Sequence, residues 1–343
     1  MNIKKTITTK NELFKIIMSG KDFNNYDYSS ITDMSYMFYQ CYVNIPNISS
    51  LKTKNVIHMN SMFLDSSFNQ NISSWDVSNV LDMSSMFQNT PFNQPLNNWA
   101  IVNVVRVEAM FQNTPFNQDI SNWDVSNTTN LSSMFQNTPF NQDIGNWDTS
   151  NVINISHMFE DSLFNKNINT WDISNVIYLN SIFQNTPFNQ PLDNWDTSNA
   201  KDISHMFFNT PFNQNISNWD VSNVKDISHM FYNSAFNQNI GNWDVSNVKD
   251  VEAIFYNTPF NQNLSCWNLS YATCINHMFY GTPISNPNFI PNLFKNETHT
   301  LHLFFKPKQC LKLFPTKKML TLIKTNNKLN DFVLKTYEQL IND

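Results

Sequence analysis

The chain has 343 residues, of which 41% are hydrophobic and 14% aromatic, and its formal net charge is -6. This composition excludes an intrinsically disordered chain, and no segment reaches the roughly 18 consecutive apolar residues of a membrane-spanning helix. The charge is uneven, because residues 65–280 contain five Lys and Arg against nineteen Asp and Glu. Such an acidic body argues against nucleic acid as a partner, since phosphate binding needs clustered Lys and Arg.

The first segment, residues 1–24, is predicted to be an N-terminal capping helix. In "TKNELFKIIMSG", Thr9 precedes Glu12 by three residues in a capping-box pattern, apolar residues follow at helical intervals, and Gly20 marks the end. Glu12 and Lys15 interrupt the apolar run, so the segment does not match a secretory signal peptide. We expect this helix to close the first coil of the array that follows it.

Residues 25–282 repeat one pattern at a nearly constant period. The Phe of "MF" recurs first after 25 residues and then every 24, at Phe38, Phe63, Phe87, Phe111, Phe135, Phe159, Phe183, Phe207, Phe231, Phe255 and Phe279. All nine Trp of the chain keep the same phase, at Trp75, Trp99, Trp123, Trp147, Trp171, Trp195, Trp219, Trp243 and Trp267. A fixed period of this size predicts a solenoid of about ten to eleven stacked coils rather than separate globular domains.

Within each repeat the spacing of apolar residues predicts one strand and one helical turn. Trp123 and Val125 are two residues apart, as on one face of a short strand. Helical spacing is seen at Val80, Met83, Met86 and Phe87. The fold class predicted is therefore an α/β repeat solenoid, similar to leucine-rich repeats, with one short parallel strand and one short helical turn per 24-residue coil and with helical caps.

Three columns of identical residues are predicted to hold the coils together. The Trp and Phe columns are interpreted as core, because no single repeat can bury its apolar face alone. An Asn column is expected to pair backbone groups of the buried corners, since an amide both donates and accepts. Its members are Asn93, Asn117, Asn141, Asn165, Asn189, Asn213, Asn237 and Asn261.

An acidic column follows the Trp column and is the candidate binding site. Its members are Asp76, Asp124, Asp148, Asp172, Asp196, Asp220 and Asp244. Because each Asp stands between two inward residues, its side chain is predicted to face solvent. Two interpretations remain open: each carboxylate shapes an Asx-turn with the following "SN", or the row attracts a basic partner surface or divalent cations.

No constellation of residues predicts catalysis, a cofactor or a metal site. Four His share one column, two residues before the Phe, at His157, His205, His229 and His277. Two adjacent His fall short of the three or four ligands that zinc takes, so this column does not predict a metal site. Cys41, Cys266, Cys274 and Cys310 follow no disulfide framework and are interpreted as reduced thiols.

Residues 283–343 leave the repeat and carry a net positive charge, with nine Lys against four Asp and Glu. Apolar residues recur at helical intervals in "KKMLTLIKTNNKLNDFVLKTYEQLIND". The segment is predicted to be a C-terminal helical cap, because a terminal coil must be covered. The alternative is a small basic module that docks on a partner or on anionic lipid.

The repeat "WDVSNVKDISHMF" at 219–231 resembles that of the BspA-like leucine-rich-repeat surface proteins, a bacterial surface and lipoprotein family. The resemblance covers about residues 25–282 and implies a non-enzymatic, surface-exposed or secreted solenoid that binds a protein partner in adhesion or host interaction. The period of 24 is shorter than the family's usual 25 or 26, and neither a signal peptide nor a lipidation site is found. An intracellular interaction scaffold, bacterial or encoded by a large virus, is therefore the alternative. In both cases we expect a monomeric chain with an unidentified protein partner.

Overall fold

The computed structural model describes residues 4–284 and 289–291. The chain divides into two compact units, Met1–Asn199 and Ala200–Asp343, each of which is described here by itself. In both units the described repeats form stacked coils, so the architecture is a repeat solenoid. Among the described residues, no helix is both long enough and apolar enough to cross a membrane.

The first unit begins with a small capping element. Strand β1 (Lys5–Thr6) pairs in parallel with strand β2 (Tyr26–Asp27), and between them lie helix α1 (Lys10–Met18) and a 3-10 helix (Phe23–Asn25).

Helix α1 begins and packs as its sequence indicates. The Thr9 side chain accepts a hydrogen bond from the Glu12 amide at 3.3 Å, which satisfies one of the unpaired donors at the helix start. Leu13 and Ile17 are buried, and the Phe14 ring contacts Phe38 of the first coil at a centroid distance of 5.6 Å. The helix therefore lies against the first coil through its apolar side.

The prediction of a helical turn in each repeat is wrong, because the described repeats form tight turns there instead. The amides of Met83, Ser85, Phe87 and Asn89 donate to carbonyls of the next coil at Arg106, Glu108, Met110 and Gln112. An α-helix needs these amides for its own carbonyls four residues back, so the two arrangements exclude each other. Ser85 and Asn89 instead adopt φ of 54° and 58°, and the segment forms three overlapping tight turns, closed by the amides of Met86, Gln88 and Thr90.

The prediction of a strand at Trp123–Val125 is also wrong, although the prediction of which side chains point inward is correct. Trp123 and Val125 are buried and Asp124 is exposed, but the chain turns at both ends of this segment. The Trp123 amide donates to the Ile120 carbonyl at 3.1 Å and the Thr128 amide to the Val125 carbonyl at 2.8 Å. These turns use the backbone groups that a ladder needs. The parallel pairing lies seven residues after each Trp, as single bridges between coils.

Those bridges join residues at one repeat position, called here the bridge column, in successive coils of each unit. In the first unit they join Asp33, His58, Asp82, Arg106, Asn130, Asn154 and Tyr178 in that order. In the second unit they join Asp202, Asp226, Asp250 and Cys274. Each coil thus brings one residue of this column directly beside its counterpart in the next coil, about 4.8 Å away, the spacing of neighbouring strands.

The core is built from the predicted aromatic columns. Phe87 stacks on Phe92 of its own coil at 3.9 Å and on Phe111 of the next coil at 5.7 Å. Trp123 packs against Phe111 at a centroid distance of 6.2 Å, and its indole donates to the Leu96 carbonyl of the preceding coil at 3.0 Å. The prediction that both columns are core is confirmed, since their described members are buried.

The Asn ladder is confirmed within each unit. The Asn117 amide nitrogen donates to Asn93 Oδ1 at 3.1 Å, and Asn141 pairs with Asn117 in the same way at 3.0 Å. The second unit repeats the pairing between Asn261 and Asn237 at 3.0 Å. Each side chain thus provides an acceptor for a backbone amide that would otherwise lack one in the stack.

The predicted C-terminal segment, 283–343, lies outside the described residues apart from 283, 284 and 289–291. Its assignment as a helical cap or a basic module stays a prediction.

Candidate functional site

The Asp column lies on the exposed surface of each coil, as predicted from its place between inward residues. Asp76 Oδ1 accepts hydrogen bonds from the Ser78 amide at 3.1 Å and from the Ser78 hydroxyl at 2.6 Å. The same backbone contact forms in every coil that has this Asp: Asp124, Asp148, Asp172, Asp196, Asp220 and Asp244 each accept from the amide two residues on. The geometry is that of an Asx-turn.

These bonds stabilise the ionised carboxylates. The Ser78 hydroxyl, with its backbone amide, holds the pKa of Asp76 below its usual range. Ser150, Ser198 and Ser246 lower the pKa of the corresponding Asp in the same way, at Asp148, Asp196 and Asp244. Each Asp of the row therefore stabilises its corner through this turn, and the hydrogen bonds favour the ionised form of Asp76, Asp148, Asp196 and Asp244.

A second exposed row accompanies the acidic one and was not singled out from the sequence. Five residues after Asp76 comes Leu81, 43% exposed, and the same position holds Val105 at 39% and Ile153 at 44%. The amide of Val105 donates to the Leu81 carbonyl at 2.9 Å, so these side chains are in register in successive coils. Ile57 and Ile177 extend this apolar row and are half-buried, and Thr129, also half-buried, interrupts it between Val105 and Ile153.

In the second unit the same position carries cations. Lys201, Lys225 and Lys249 occupy it and are exposed. The coil backbone is therefore compatible with Lys at this position, and the apolar side chains of the first unit are not required by the fold. Comparing the residue six before each Phe across all repeats would have revealed this change from the sequence.

The His column does not form one connected group. His157 Nδ1 lies 2.7 Å from Glu160 Oε2, and its Nε2 lies 3.1 Å from Asn180 Nδ2. In the second unit the His205 and His229 rings stack with centroids 4.7 Å apart. All four His have φ near +57°, as does the Ser or Ala that replaces them in other coils, so the column marks a turn position.

A half-buried aromatic column follows the core Phe in the second unit. Phe208 stacks on Tyr232 at 4.7 Å, Tyr232 on Tyr256 at 4.5 Å, and Tyr256 on Tyr280 at 4.8 Å. The first unit places an amide ladder at this position, in which Gln88 Nε2 donates to Gln112 Oε1 at 2.5 Å. The two units thus share one coil design and differ in surface chemistry.

Comparison with known proteins identifies the repeat. The family model described as "Mycoplasma protein of unknown function, DUF285" matches three overlapping stretches, residues 8–119, 111–211 and 179–292. No curated protein and no solved structure matches the chain. The matched stretches together run from residue 8 to residue 292, through all the coils described above, and the chain therefore belongs to the DUF285 family.

Proposed function

We propose that this protein is a non-enzymatic solenoid that binds a protein partner through the exposed face of its first unit. The observation that carries the proposal is the apolar row at Leu81, Val105 and Ile153, which is in register and partly exposed. Isolated exposed apolar residues are ordinary on protein surfaces. Several of them in register, interrupted by Thr129 and set at a position where the second unit has Lys, support a surface that another protein covers.

The acidic row defines the chemistry of the partner. Asp76 and Asp148 lie five residues before Leu81 and Ile153, so each such coil presents a carboxylate and an apolar side chain on the same exposed segment. Protein interfaces commonly have an apolar centre and a polar rim. A partner with an apolar ridge beside basic residues matches this arrangement. Electrostatic attraction would then increase the association rate and make binding sensitive to salt.

The chain itself supplies the test substitution. Leu81→Lys, Val105→Lys and Ile153→Lys, combined in one variant, copy the residue found at this position in the second unit and should leave the fold intact. Cross-linking and pull-down from the native cells should recover a defined partner with the unaltered protein, and less of it with the variant. A matched control is Leu163→Lys, which alters an apolar side chain that is 58% exposed at a different corner.

The two outcomes are distinct. Loss of a partner in the triple variant and its retention in the control would support the apolar row as the interface. Recovery of the same proteins in equal amounts by all three forms would contradict the proposal. Circular dichroism of the variant identifies any loss that results from unfolding instead.

The role served by this binding is proposed as adhesion or host interaction. The resemblance to BspA-like leucine-rich-repeat proteins supports it, because that family consists of binding solenoids at the cell surface. The alternative is an intracellular scaffold. Protease treatment of intact cells, followed by detection with an antibody to the chain, separates the two. Digestion on intact cells supports adhesion, whereas protection until the cells are lysed supports the scaffold.

A further inference from the structure

One coil of the second unit departs from the pattern of its neighbours at the bridge column. In the coil of Asp202, the Ser204 hydroxyl donates to the Asp202 carboxylate at 2.7 Å. In the coil of Asp250 the corresponding Ser is replaced by Glu252, and the next residue along the bridge column is Cys274. Asp250 thereby loses a hydroxyl donor and gains a second carboxylate beside it.

The three side chains converge. One ligand-type atom from each of Asp250, Glu252 and Cys274 lies within 4.8 Å of the other two, and Cys274 Sγ lies 3.2 Å from Glu252 Oε2. All three residues are half-buried. A tetrahedral zinc ion, with bonds of about 2.3 Å to sulfur and about 2.1 Å to oxygen, holds its ligands roughly 3.5 Å apart. Only a small closure of these side chains is needed.

Electrostatics at this cluster favours a cation. Burial raises the pKa of Asp250, and the neighbouring carboxylates of Asp226 and Glu252 raise it further. Burial and the hydrogen bond to Glu252 raise the pKa of the Cys274 thiol to about 11. The Glu252 backbone amide, which donates to Asp250 Oδ1 at 2.9 Å, opposes this rise in pKa, and His229 opposes it to a smaller extent.

In the first unit, an arginine provides a positive charge beside the carboxylates at the equivalent repeat positions. Glu108 occupies the repeat position of Glu252, and there the bridge column supplies Arg106, whose guanidinium lies 2.5 Å from the Asp82 carboxylate. Burial raises the pKa of Glu108, and the positive charge of Arg106 offsets only part of this rise. In the Glu252 coil this position holds Asp250 and is followed by Cys274, so the carboxylates lack the guanidinium that their counterparts have.

A second polar group supports a ligand at this place. His229, in the coil that precedes Glu252, is half-buried, and its Nδ1 atom is shielded from solvent and has no hydrogen-bond partner in the part of the chain that the structure describes. The His229 amide donates to the Glu252 carbonyl at 2.8 Å, which brings the two residues side by side. Imidazole nitrogen is a normal zinc ligand, and His229 interacts electrostatically with Asp250, so a nitrogen donor lies near the three groups that converge.

We propose that Asp250, Glu252 and Cys274 form a zinc-binding site in the second unit. The metal ion there supplies the positive charge that Arg106 supplies in the first unit. Zinc is chosen over calcium or magnesium because a thiol is a soft ligand, which those oxygen-seeking ions do not use. On binding, the Cys274 thiol loses its proton to solvent and the thiolate sulfur bonds to the metal. The site departs from the expectation, drawn from the sequence, of a chain without metal.

The test uses the full chain without an affinity tag, kept reduced, and titrated with Zn²⁺ and with Co²⁺. The expected result is one equivalent of Zn²⁺ bound, with release of protons, and a thiolate-to-cobalt charge-transfer band in the near ultraviolet. Cys274→Ser should abolish the band and weaken Zn²⁺ binding by about tenfold or more, since even outer-shell changes at metal sites cost that much. Asp250→Asn should weaken binding similarly.

Controls separate this site from other thiols and from misfolding. Cys266→Ser alters an exposed thiol eight residues away, and Cys310→Ser alters one that lies outside the described residues; both should keep the band. Cys274→Asp copies the residue of the three preceding coils and should fold normally without the band. A band that persists in Cys274→Ser, or the absence of any stoichiometric Zn²⁺ binding by the unaltered protein, would overturn the proposal.

Discussion

The indole nitrogen of Trp171 donates a 3.0 Å hydrogen bond to the carbonyl oxygen of Ile144, which lies 27 residues earlier, in the preceding coil. The same bond joins Trp195 to Ile168 at 3.0 Å and Trp147 to Ile120 at 3.3 Å. Each Trp is 2–3% exposed. The side chain thus packs in the core of its own coil and provides a hydrogen-bond donor for a backbone carbonyl of the coil before it.

Replacing Trp171 with Ala is expected to lower the free energy of unfolding by about 3–5 kcal/mol, the usual cost of removing a large buried aromatic side chain. Trp171→Phe should cost less but still about 1–3 kcal/mol, because it leaves the Ile144 carbonyl without its donor. Urea denaturation followed by circular dichroism measures both. The neighbouring exposed change Asp172→Asn serves as control, and a Trp171→Ala variant as stable as that control would place the indole outside the core.

Asn113 is expected to tolerate Gly better than Val. Its φ is 58°, and its side-chain nitrogen donates to Asn89 Oδ1 at 2.6 Å. Asn113→Gly loses this bond but fits the left-handed backbone, whereas Asn113→Val loses the bond and adds about 1–2 kcal/mol of backbone strain.

The measurement is the difference in thermal unfolding between the two Asn113 variants. The Gly variant should melt at the higher temperature. Equal melting temperatures, or a more stable Val variant, would show that this turn does not hold a positive φ in solution.

The combined change of Asp148, Asp172 and Asp196 to Asn is expected to leave the fold nearly unchanged. Asn also accepts a hydrogen bond from the amide two residues on, as Asn268 does from Ser270 at 3.2 Å in the same column. Changing the three to Ala should instead cost about 0.5–1.5 kcal/mol per site, the usual net value of a hydrogen bond. Scanning calorimetry of both variants decides whether the Asx-turn stabilises the corner.

The same triple Asn variant addresses recognition. If the acidic row contacts a basic partner, binding should weaken and lose part of its dependence on salt while the fold stays intact. A partner that binds the unaltered protein and the variant equally well would leave the acidic row with its structural role alone.

Stability is expected to fall in acid because of the same column. Ser78, Ser150 and their equivalents lower the pKa of Asp76, Asp148, Asp196 and Asp244 in the folded chain. Folding is therefore favoured above the unfolded pKa of about 3.9, and that contribution is lost as pH falls through the lower folded pKa. Unfolding by urea between pH 6 and pH 2 measures the slope. Changing these four Asp to Asn should flatten the curve below about pH 4.

The opposite sign applies to Glu108 and Asp250, whose pKa values are raised by burial. Their ionisation costs stability as pH rises from the unfolded pKa to the higher folded one. A Glu108→Gln variant should therefore lose less stability than the unaltered protein on going from pH 4 to pH 7.

Periodicity alone determined much of this architecture. The positions of Phe87 and Trp123 within the 24-residue period identify them as core, because a repeat that cannot bury its apolar face alone must stack on its neighbours. The Asn93 column follows from the same reasoning, since buried corners leave backbone groups that an amide can pair. The exposure of Asp124 followed from its place between Trp123 and Val125. These conclusions depend on which residues face inward, and the repeat fixes that.

Only the tertiary structure decided which backbone conformation turns these side chains inward. Three overlapping tight turns, with positive φ at Ser85 and Asn89, direct Met83, Met86 and Phe87 inward just as a helical turn would. The spacing of apolar residues therefore cannot distinguish these turns from a helical turn. What distinguishes the two is where the amides point, and here they bond to the next coil.

The surface sites depend on the same stacking. Leu81, Val105 and Ile153 become one row, and Asp250, Glu252 and Cys274 one cluster, because coils in register bring residues about 24 positions apart within a few ångströms of each other. Each residue alone gives no signal in the sequence, and only its neighbour across the stack places it in a row or a cluster.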